Sequence, residues 1–332
     1  MLATQITAND DGTGEAFDSL ASLCKASADP LRLQVLRVLH EDSFGVSELC
    51  ELFDIRQPAL SHHLKVLANA GLVATRREGN SIFYRRSDLG QRPGLGVLQG
   101  SIFSALDQIA LPEVLAKRLQ TLHRKRDENS RDFFRINAAK FRQQQDLIAS
   151  YEQYADTVAE LLGNAPLQQH RVVLEVGPGD GTFLRELAPR FDRVIALDNA
   201  PEMLAKARTT AADAGLDNIE FICGDTDASE LRQLQADCVV VNMVLHHTLE
   251  PARIVSDVAN SLAPGGVVLI TDLCRHDQAW ARENCGDLWL GFDPQDLTTW
   301  AGDAGLVDVA SVYLAQRNGF QIQVRLFGRP SQ

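Results

Sequence analysis

The chain of 332 residues has no CxxC pair, no long apolar run and no signal-like leader, and each absence excludes a class of protein. No stretch approaches the roughly 18 consecutive apolar residues of a membrane span. The opening residues, MLATQITANDDGTGEAF, are polar and acidic, which points to a cytoplasmic protein with no membrane partner. Six cysteines (Cys24, Cys50, Cys223, Cys238, Cys274 and Cys285) make neither a disulfide framework nor a zinc spacing, so reduced thiols and no metal site are expected. The dinucleotide fingerprint G-x-G-x-x-G is also missing. In VVLEVGPGDGTFL, Thr182 stands where its last glycine should be, which argues against NAD.

What is present is ordinary in bulk, with 45% hydrophobic and 23% charged residues, as in soluble globular proteins. The length exceeds what one hydrophobic core organises, so two domains are expected. The net charge of -12 conceals an asymmetry. Residues 56–92 hold seven bases (Arg56, Lys65, Arg76, Arg77, Arg85, Arg86, Arg92) against two acids, whereas residues 151–332 hold 13 Lys and Arg against 26 Asp and Glu. A polyanion partner is therefore expected for the first part only.

The basic part reads as three helices and a hairpin. DPLRLQVLRVLH has Asp29 to cap a helix, Pro30 at its first position, and an apolar face of Leu31, Val35, Leu36, Val38 and Leu39. VSELCELF gives a short amphipathic helix. IRQPALSHHLKVLANAGL gives a longer one, with Pro58 in its first turn and Gly71 past its end. LVATRREGNSIFYRRS supplies two strands around Glu78-Gly79-Asn80. Together these predict a winged helix-turn-helix.

ADPLRLQVL, QPALSHHLKVLANAGLV and REGNSIFY resemble the ArsR/SmtB winged-helix repressors across roughly residues 20–87. The resemblance implies a homodimer on double-stranded operator DNA, with the helix from Gln57 to Ala70 in the major groove and the wings on the flanking backbone. Gln57, Ala59, Ser61, His62 and Lys65 would then face DNA, and Arg76, Arg77, Asn80 and Arg85 would contact phosphates or the minor groove. His62 and His63 point about 100° apart on a helix and cannot share one role, so His63 is assigned to packing. Family members that sense metals do so through thiolates before the recognition helix. Here Gly45 and Ser47 replace the paired cysteines of the arsenic-sensing members, and Cys50 alone builds no soft-metal site; its simpler reading is a small buried residue.

A helical connector follows. GLGVLQGSIFSALDQIA is the helix expected to complete the dimer interface, and the charged run from Pro112 to Leu162 reads as helical throughout. Within it, SRDFFRINAAKF brings Phe133, Phe134 and Phe141 together, either as a lid over a ligand or as plain core. The boundaries expected are 15–92 for the DNA-binding domain, 93–132 for the connector and 133–330 for the second domain.

In that second domain RVVLEVG is a strand, GPGDG a turn and TFLRELAPRF a helix, so Gly177, Gly179 and Gly181 lie where a parallel sheet passes to its first crossover helix. Glycines let a ligand approach the backbone, and the helix start offers free N–H groups. Glu175, ahead of the loop, suits a ligand bearing an amino group and disfavours a pyrophosphate. RVIALD then ends in Asp198, 17 residues after Gly181, where a carboxylate can accept both hydroxyls of a ribose or else cap the next helix. IEFICGD ends at Asp225, ADCVVVN at Asn242, and LAPGGVVLITDL supplies a turn and fifth strand. Arg317-Asn318-Gly319 marks a final hairpin.

This ordered series resembles the class I S-adenosylmethionine-dependent methyltransferases from about Phe134 to Arg329. The resemblance implies an α/β Rossmann-like fold, seven-stranded with the last strand antiparallel, beside the α+β winged helix-turn-helix. It implies that Glu175, Gly177, Gly179 and Gly181 hold the methionine moiety of S-adenosylmethionine or S-adenosylhomocysteine; Phe134, in the lid reading, joins the cofactor-binding residues. Asp198 would hold the ribose, Asp225 and Thr226 the adenine edge, and Asn242 the region near the sulfonium. His246 and His247 follow the fourth strand and are candidates for a general base or for structure; Cys274 and Cys285 could hold a soft acceptor such as arsenite. Two functions fit. One is a dimeric repressor whose second domain senses the cofactor, controlling methionine-cycle genes. The other is a small-molecule methyltransferase carrying an autoregulatory DNA-binding domain.

Overall fold

The computed structural model describes residues 11–40, 42–78, 81–87, 94–137, 141–228, 231, 233–278 and 280–331. It divides into two compact units, Met1–Arg124 and Lys125–Gln332. No helix among the described residues is long and apolar enough to cross a membrane.

The first unit runs α1 (Asp11–Ser27), α2 (Pro30–Val38), β1 (Phe44–Gly45), α3 (Val46–Phe53), α4 (Gln57–Asn69), β2 (Val73–Glu78), β3 (Ser81–Arg86) and α5 (Leu95–Asp107), and it ends within α6 (Glu113–Asn137). Asp29 caps α2 as its sequence requires, its carboxylate accepting from the Arg32 amide at 3.0 Å, with Pro30 next in line. In α4 the buried positions Leu60, Leu64 and Leu67 recur at helical spacing, which leaves the other face to solvent. The chain leaves α4 through Gly71 and enters an antiparallel sheet of order β1-β3-β2. Sequence reasoning anticipated the hairpin. It missed α1, which contributes Leu23 and Ala26 to the core, and the two-residue β1, which pairs Phe44 with Tyr84.

One of the seven bases is turned inward. Arg86, at the end of β3, donates to the Leu36 carbonyl at 2.6 Å and to both oxygens of Asp107 at 2.7 and 3.1 Å, and its guanidinium lies 4.7 Å from the centre of the Phe103 ring. Its role is to tie β3 to α2 and α5.

The second unit begins with the end of α6, then α7 (Phe141–Gln145), a 3-10 turn (Tyr151–Gln153) and α8 (Ala155–Gly163), so the long connector helix read from sequence is interrupted between Gln145 and Ala155. Strands and helices then alternate: β4 (Val172–Val176), α9 (Leu184–Leu187), β5 (Arg193–Asp198), α10 (Pro201–Asp213), β6 (Ile219–Cys223), β7 (Ala236–Asn242), a 3-10 turn (Leu245–His247), α11 (Pro251–Asn260), β8 (Leu262–Leu273), α12 (Trp280–Cys285), α13 (Pro294–Asp303), β9 (Val307–Ala315) and β10 (Gln321–Gly328). The sheet order is β6-β5-β4-β7-β8-β10-β9, parallel as far as β8, with β10 antiparallel to both neighbours.

Both faces of this sheet are buried, which explains the unbroken apolar runs in β4, β5 and β7. Successive residues serve opposite cores: Val173 and Val194 pack with Phe183 and Leu187, whereas Leu174 and Ile195 pack with Val255 and Leu262. Register aligns the strand ends, with Val176 beside Leu197 and Asn242 beside Thr271. Polar side chains are thereby collected along one edge.

Because Arg86 is nearly buried while its partner is only partly exposed, Arg86→Ala takes both guanidinium hydrogen bonds from the Asp107 carboxylate, which keeps His40 Nδ1 at 3.1 Å, and leaves the Leu36 carbonyl without this donor. We expect it to cost the first unit about 3 kcal/mol in denaturant unfolding, whereas Arg77→Ala, at an exposed position, should leave the midpoint unchanged.

Candidate functional site

The glycine loop forms at the carboxyl end of β4. Gly177 has φ 64 and Gly181 φ 81, a region that side chains other than glycine rarely adopt. Space is short as well. A Cβ on Gly181 would lie 2.8 Å from the Ala207 Cα of α10, and one on Gly177 would lie 2.6 Å from Val244. Asp180, which sequence reasoning passed over, shapes the turn by accepting from the Thr182 amide at 3.1 Å and hydroxyl at 2.6 Å. That is the structural use of the threonine found in place of a third glycine.

Glu175 is buried at the base of this loop, and its Oε2 has no hydrogen-bond partner among the described residues. Burial, with the Asp180 charge in support, pushes its carboxyl up to about 8. Asp198, at the end of β5, is raised to about 6, chiefly by burial and further by Asp225, against the lowering effect of two backbone amides. Its Oδ1 accepts from the Ala200 amide at 2.8 Å, so one oxygen does cap the turn into α10. Asp225 is exposed and accepts from the Asn199 side chain at 2.7 Å, a partner that sequence reasoning did not name. Thr226 is buried and gives its hydroxyl to Asp257 at 2.8 Å, which leaves its backbone as the group able to meet a ligand. Asn242 ends β7 with both side-chain amide atoms buried and without a partner.

These residues fit the cofactor that the methyltransferase fold implies. A buried carboxylate lacking a donor is costly until a cation or N–H group reaches it, and an amino acid's ammonium supplies both. Asp198 retains an oxygen for a hydroxyl. Phe134 belongs to α6, but its side chain, like that of Phe141, lies outside the described residues. Phe133 packs its ring where a Cβ on Gly286 would come within 2.5 Å of it.

Beyond Asn242 the two histidines occupy the turn Leu245–His247 and are buried, their ring centres 4.0 Å apart. His246 Nδ1 lies 2.8 Å from Asp272 Oδ1, and Asp287 lies on its other side. Burial alone would lower His246; the charges of Asp272 and Asp287 outweigh it and raise the ring to about 9. His247 moves the other way, well below its usual value, through burial and the neighbouring His246. Asp272 and Asp287 are 26 and 41 residues from His246 and meet it only through the β7-β8 pairing and the α12-α13 loop, so no local motif announced them. Cys274 and Cys285 are buried thiols, pushed up by burial to about 11 and about 12.

In the first unit Gln57, Ala59, His62 and Lys65 are exposed on α4 and Ser61 is half-buried; they follow the spacing of one helix face. His63 is half-buried with its Nδ1 3.7 Å from Asp29. Arg77 is exposed and Arg85 half-buried on the hairpin, whereas Asn80 and the side chain of Arg76 lie outside the described residues. Cys50 is half-buried, and desolvation raises its thiol.

Residues 29–75 match the family described as bacterial regulatory protein, arsR family, and residues 173–266 match the family described as methyltransferase domain. Over 71 residues the chain is 39% identical to an uncharacterised HTH-type transcriptional regulator of Methanocaldococcus jannaschii, covering 21% of this chain and 80% of that one. Over 153 residues it is 29% identical to the malonyl-[acyl-carrier protein] O-methyltransferase of Marinomonas sp., covering 44% of this chain; it spans about half, 54%, of that enzyme's length. Among solved structures, a complex between the Haloferax volcanii Trm112 methyltransferase activator and a protein assigned there as a methyltransferase matches with a TM-score of 0.52 at 19% identity, over 61% of this chain and 98% of that one, a likeness of fold. Fold and site thus define a winged helix-turn-helix DNA-binding domain joined to a methyltransferase domain. Through the first of these the chain belongs to the arsR family of bacterial regulatory proteins.

The raised Glu175 carboxyl sets a pH dependence. Between the unfolded value of 4.5 and the folded value of about 8, the folded state holds the proton that the unfolded state has lost, so stability falls as pH rises through this window. Glu175→Gln removes that contribution. In urea unfolding without added ligand, the variant should match wild type near pH 4 and exceed its stability by several kcal/mol at pH 8.

Proposed function

We propose that this protein is a dimeric transcriptional regulator of the cytoplasm that binds double-stranded operator DNA through α4 and the β2-β3 wing, with S-adenosylmethionine or S-adenosylhomocysteine as effector in the second unit. The observation that carries the reading is the buried Glu175 Oε2, without a hydrogen-bond partner among the described residues, at the glycine loop of a chain that also holds an arsR-family domain. The anionic loop suits the cofactor's amino group, while the exposed Gln57, His62 and Lys65 suit base edges and phosphate. Genes of methionine metabolism are the natural targets of such a sensor.

The second reading is methyl transfer to a small acceptor. It is favoured by the buried polar atoms beyond Asn242, where Thr271 Oγ1, Asp272 Oδ2 and His246 Nε2 have no hydrogen-bond partner among the described residues. When bound, S-adenosylmethionine supplies an electrophilic methyl group. The chain's part is to position the acceptor, with His246 and His247 as the candidate proton-handling groups.

Operator binding titrated with each cofactor form tests the first reading. One form should change operator affinity by roughly 5- to 150-fold, and operator DNA should change that form's affinity by the same factor. Asp198→Ala should bind DNA normally and lose the response, and Lys65→Ala should reduce the slope of log affinity against log salt by about one unit. Methyl transfer to an acceptor with no change in operator affinity would leave the second reading in its place.

A further inference from the structure

We infer that His246, His247 and Asp287 form a binding site for a divalent cation of the zinc class. Sequence reasoning expected no metal, because the cysteines lack ligand spacing and adjacent histidines look structural. The fold brings together a different donor set, one ligand atom from each of the three residues, all within 4.8 Å of one another.

The distances favour an ion over a hydrogen bond. His246 Nε2 is 3.9 Å and His247 Nδ1 3.8 Å from the same Asp287 Oδ1, too far for a proton to bridge either pair. Both separations are shorter than two metal–ligand bonds of about 2.1 Å, so one ion can reach across each. His246 Nε2 and both Asp287 oxygens are buried and have no hydrogen-bond partner among the described residues. An unpartnered carboxylate and an unpartnered ring nitrogen, aimed at one point, are compensated together by a cation.

Surrounding groups orient the donors. Asp272 Oδ1 accepts from His246 Nδ1 at 2.8 Å and from the Leu273 amide at 2.7 Å, which fixes the ring with Nε2 toward Asp287, the carboxylate–histidine arrangement found behind metal ligands. His247 Nε2 lies 3.1 Å from the Gln145 side-chain amide. The Gln145 amide nitrogen faces the ring and Nδ1 faces the Gly286 carbonyl at 3.3 Å; a metal bond at Nδ1 moves the proton to Nε2, which the Gln145 amide meets by turning its oxygen to the ring. Two carboxylates, Asp272 and Asp287, balance a dication, with Arg282 the nearby positive charge. Sulfur is not a donor, since Cys285 gives its thiol to the Gln144 carbonyl at 3.3 Å. Two imidazoles and a carboxylate select borderline ions such as Zn2+, Co2+ or Ni2+ over Mg2+ or Ca2+, and three protein ligands leave a position open to water or a ligand heteroatom.

The site is independent of the cofactor reading, and its test uses the full-length chain with metal alone. After chelator treatment, titration with Zn2+ against a chromophoric competitor should give one tight site per chain that raises the melting temperature. Co2+ should give visible d–d bands with no thiolate charge-transfer band. Asp287→Asn should weaken Zn2+ by more than about 100-fold, Asp272→Asn by about 10- to 100-fold, and Cys285→Ser should change nothing. If circular dichroism shows that Asp287→Asn does not fold, the more accessible His247→Gln takes its place. Absence of a stoichiometric site, a thiolate band, or affinity unchanged in the folded ligand variant would overturn the proposal.

Discussion

Burial of both faces of the seven-stranded sheet is the constraint from which the chemistry of the second unit follows. Residues inside β4, β5, β7 and β8 have no room for polar atoms, so those groups gather where the strands end. Glu175, Asp198 and Asp272 all stand there, and Asp287 joins them from a loop. Glu175, Asp272 and Asp287 are cut off from water by the packing that holds the strands together and Asp198 is half-buried, and burial raises Glu175, Asp198 and Asp287 toward their neutral forms. Helix starts and backbone amides offset part of this cost at Asp198. At Asp287 the charges of His246 and Arg282 offset part of it without a hydrogen bond, and Glu175 Oε2 has no hydrogen-bond partner among the described residues.

The first unit solves the opposite problem. Its ligand surface is a solvated helix face, held by Leu60, Leu64 and Leu67 beneath it, so the groups that would meet a polyanion cost nothing to keep charged. Arg86 shows why a count of bases overstates that surface. Alternation along β3 carries its side chain to the buried side, where Asp107, His40 and the Leu36 carbonyl surround its guanidinium.

How much was legible follows the range of the interactions involved. Local rules wrote α2, α4, the hairpin and the glycine loop into short stretches, because Asp29, Pro58 and Gly181 act within a turn of where they sit. The carboxylates expected to meet the cofactor were readable as positions too, since Glu175, Asp198 and Asp225 each lie within two residues of a strand end. The helix run after residue 112 was misread as continuous, because its polar composition says little about where tertiary packing bends it. The cluster around His246 was invisible for a stronger reason: its members are contributed by the turn after β7, the end of β8 and the loop after α12, and neither charge nor spacing along the chain records that β8 lies beside β7.

A site built from carboxylates also bears on what the second unit can distinguish. The two cofactor forms differ by one methyl group and one positive charge. At an effective dielectric near 20, a charge about 6 Å from a carboxylate is worth roughly 3 kcal/mol, comparable to the ~1–3 kcal/mol by which typical allosteric ligands couple two sites. Charge alone thus suffices to make the two forms bind unequally, whereas regulation requires that one form bind two conformations of the protein unequally, because a ligand that binds both equally shifts neither. Methyl transfer asks for more. It needs a second molecule held in line with the sulfonium, and hence a pocket whose polar atoms are satisfied by that molecule. The buried Asn242, Thr271 Oγ1 and Asp272 Oδ2, without hydrogen-bond partners among the described residues, are the groups that such a molecule would have to satisfy.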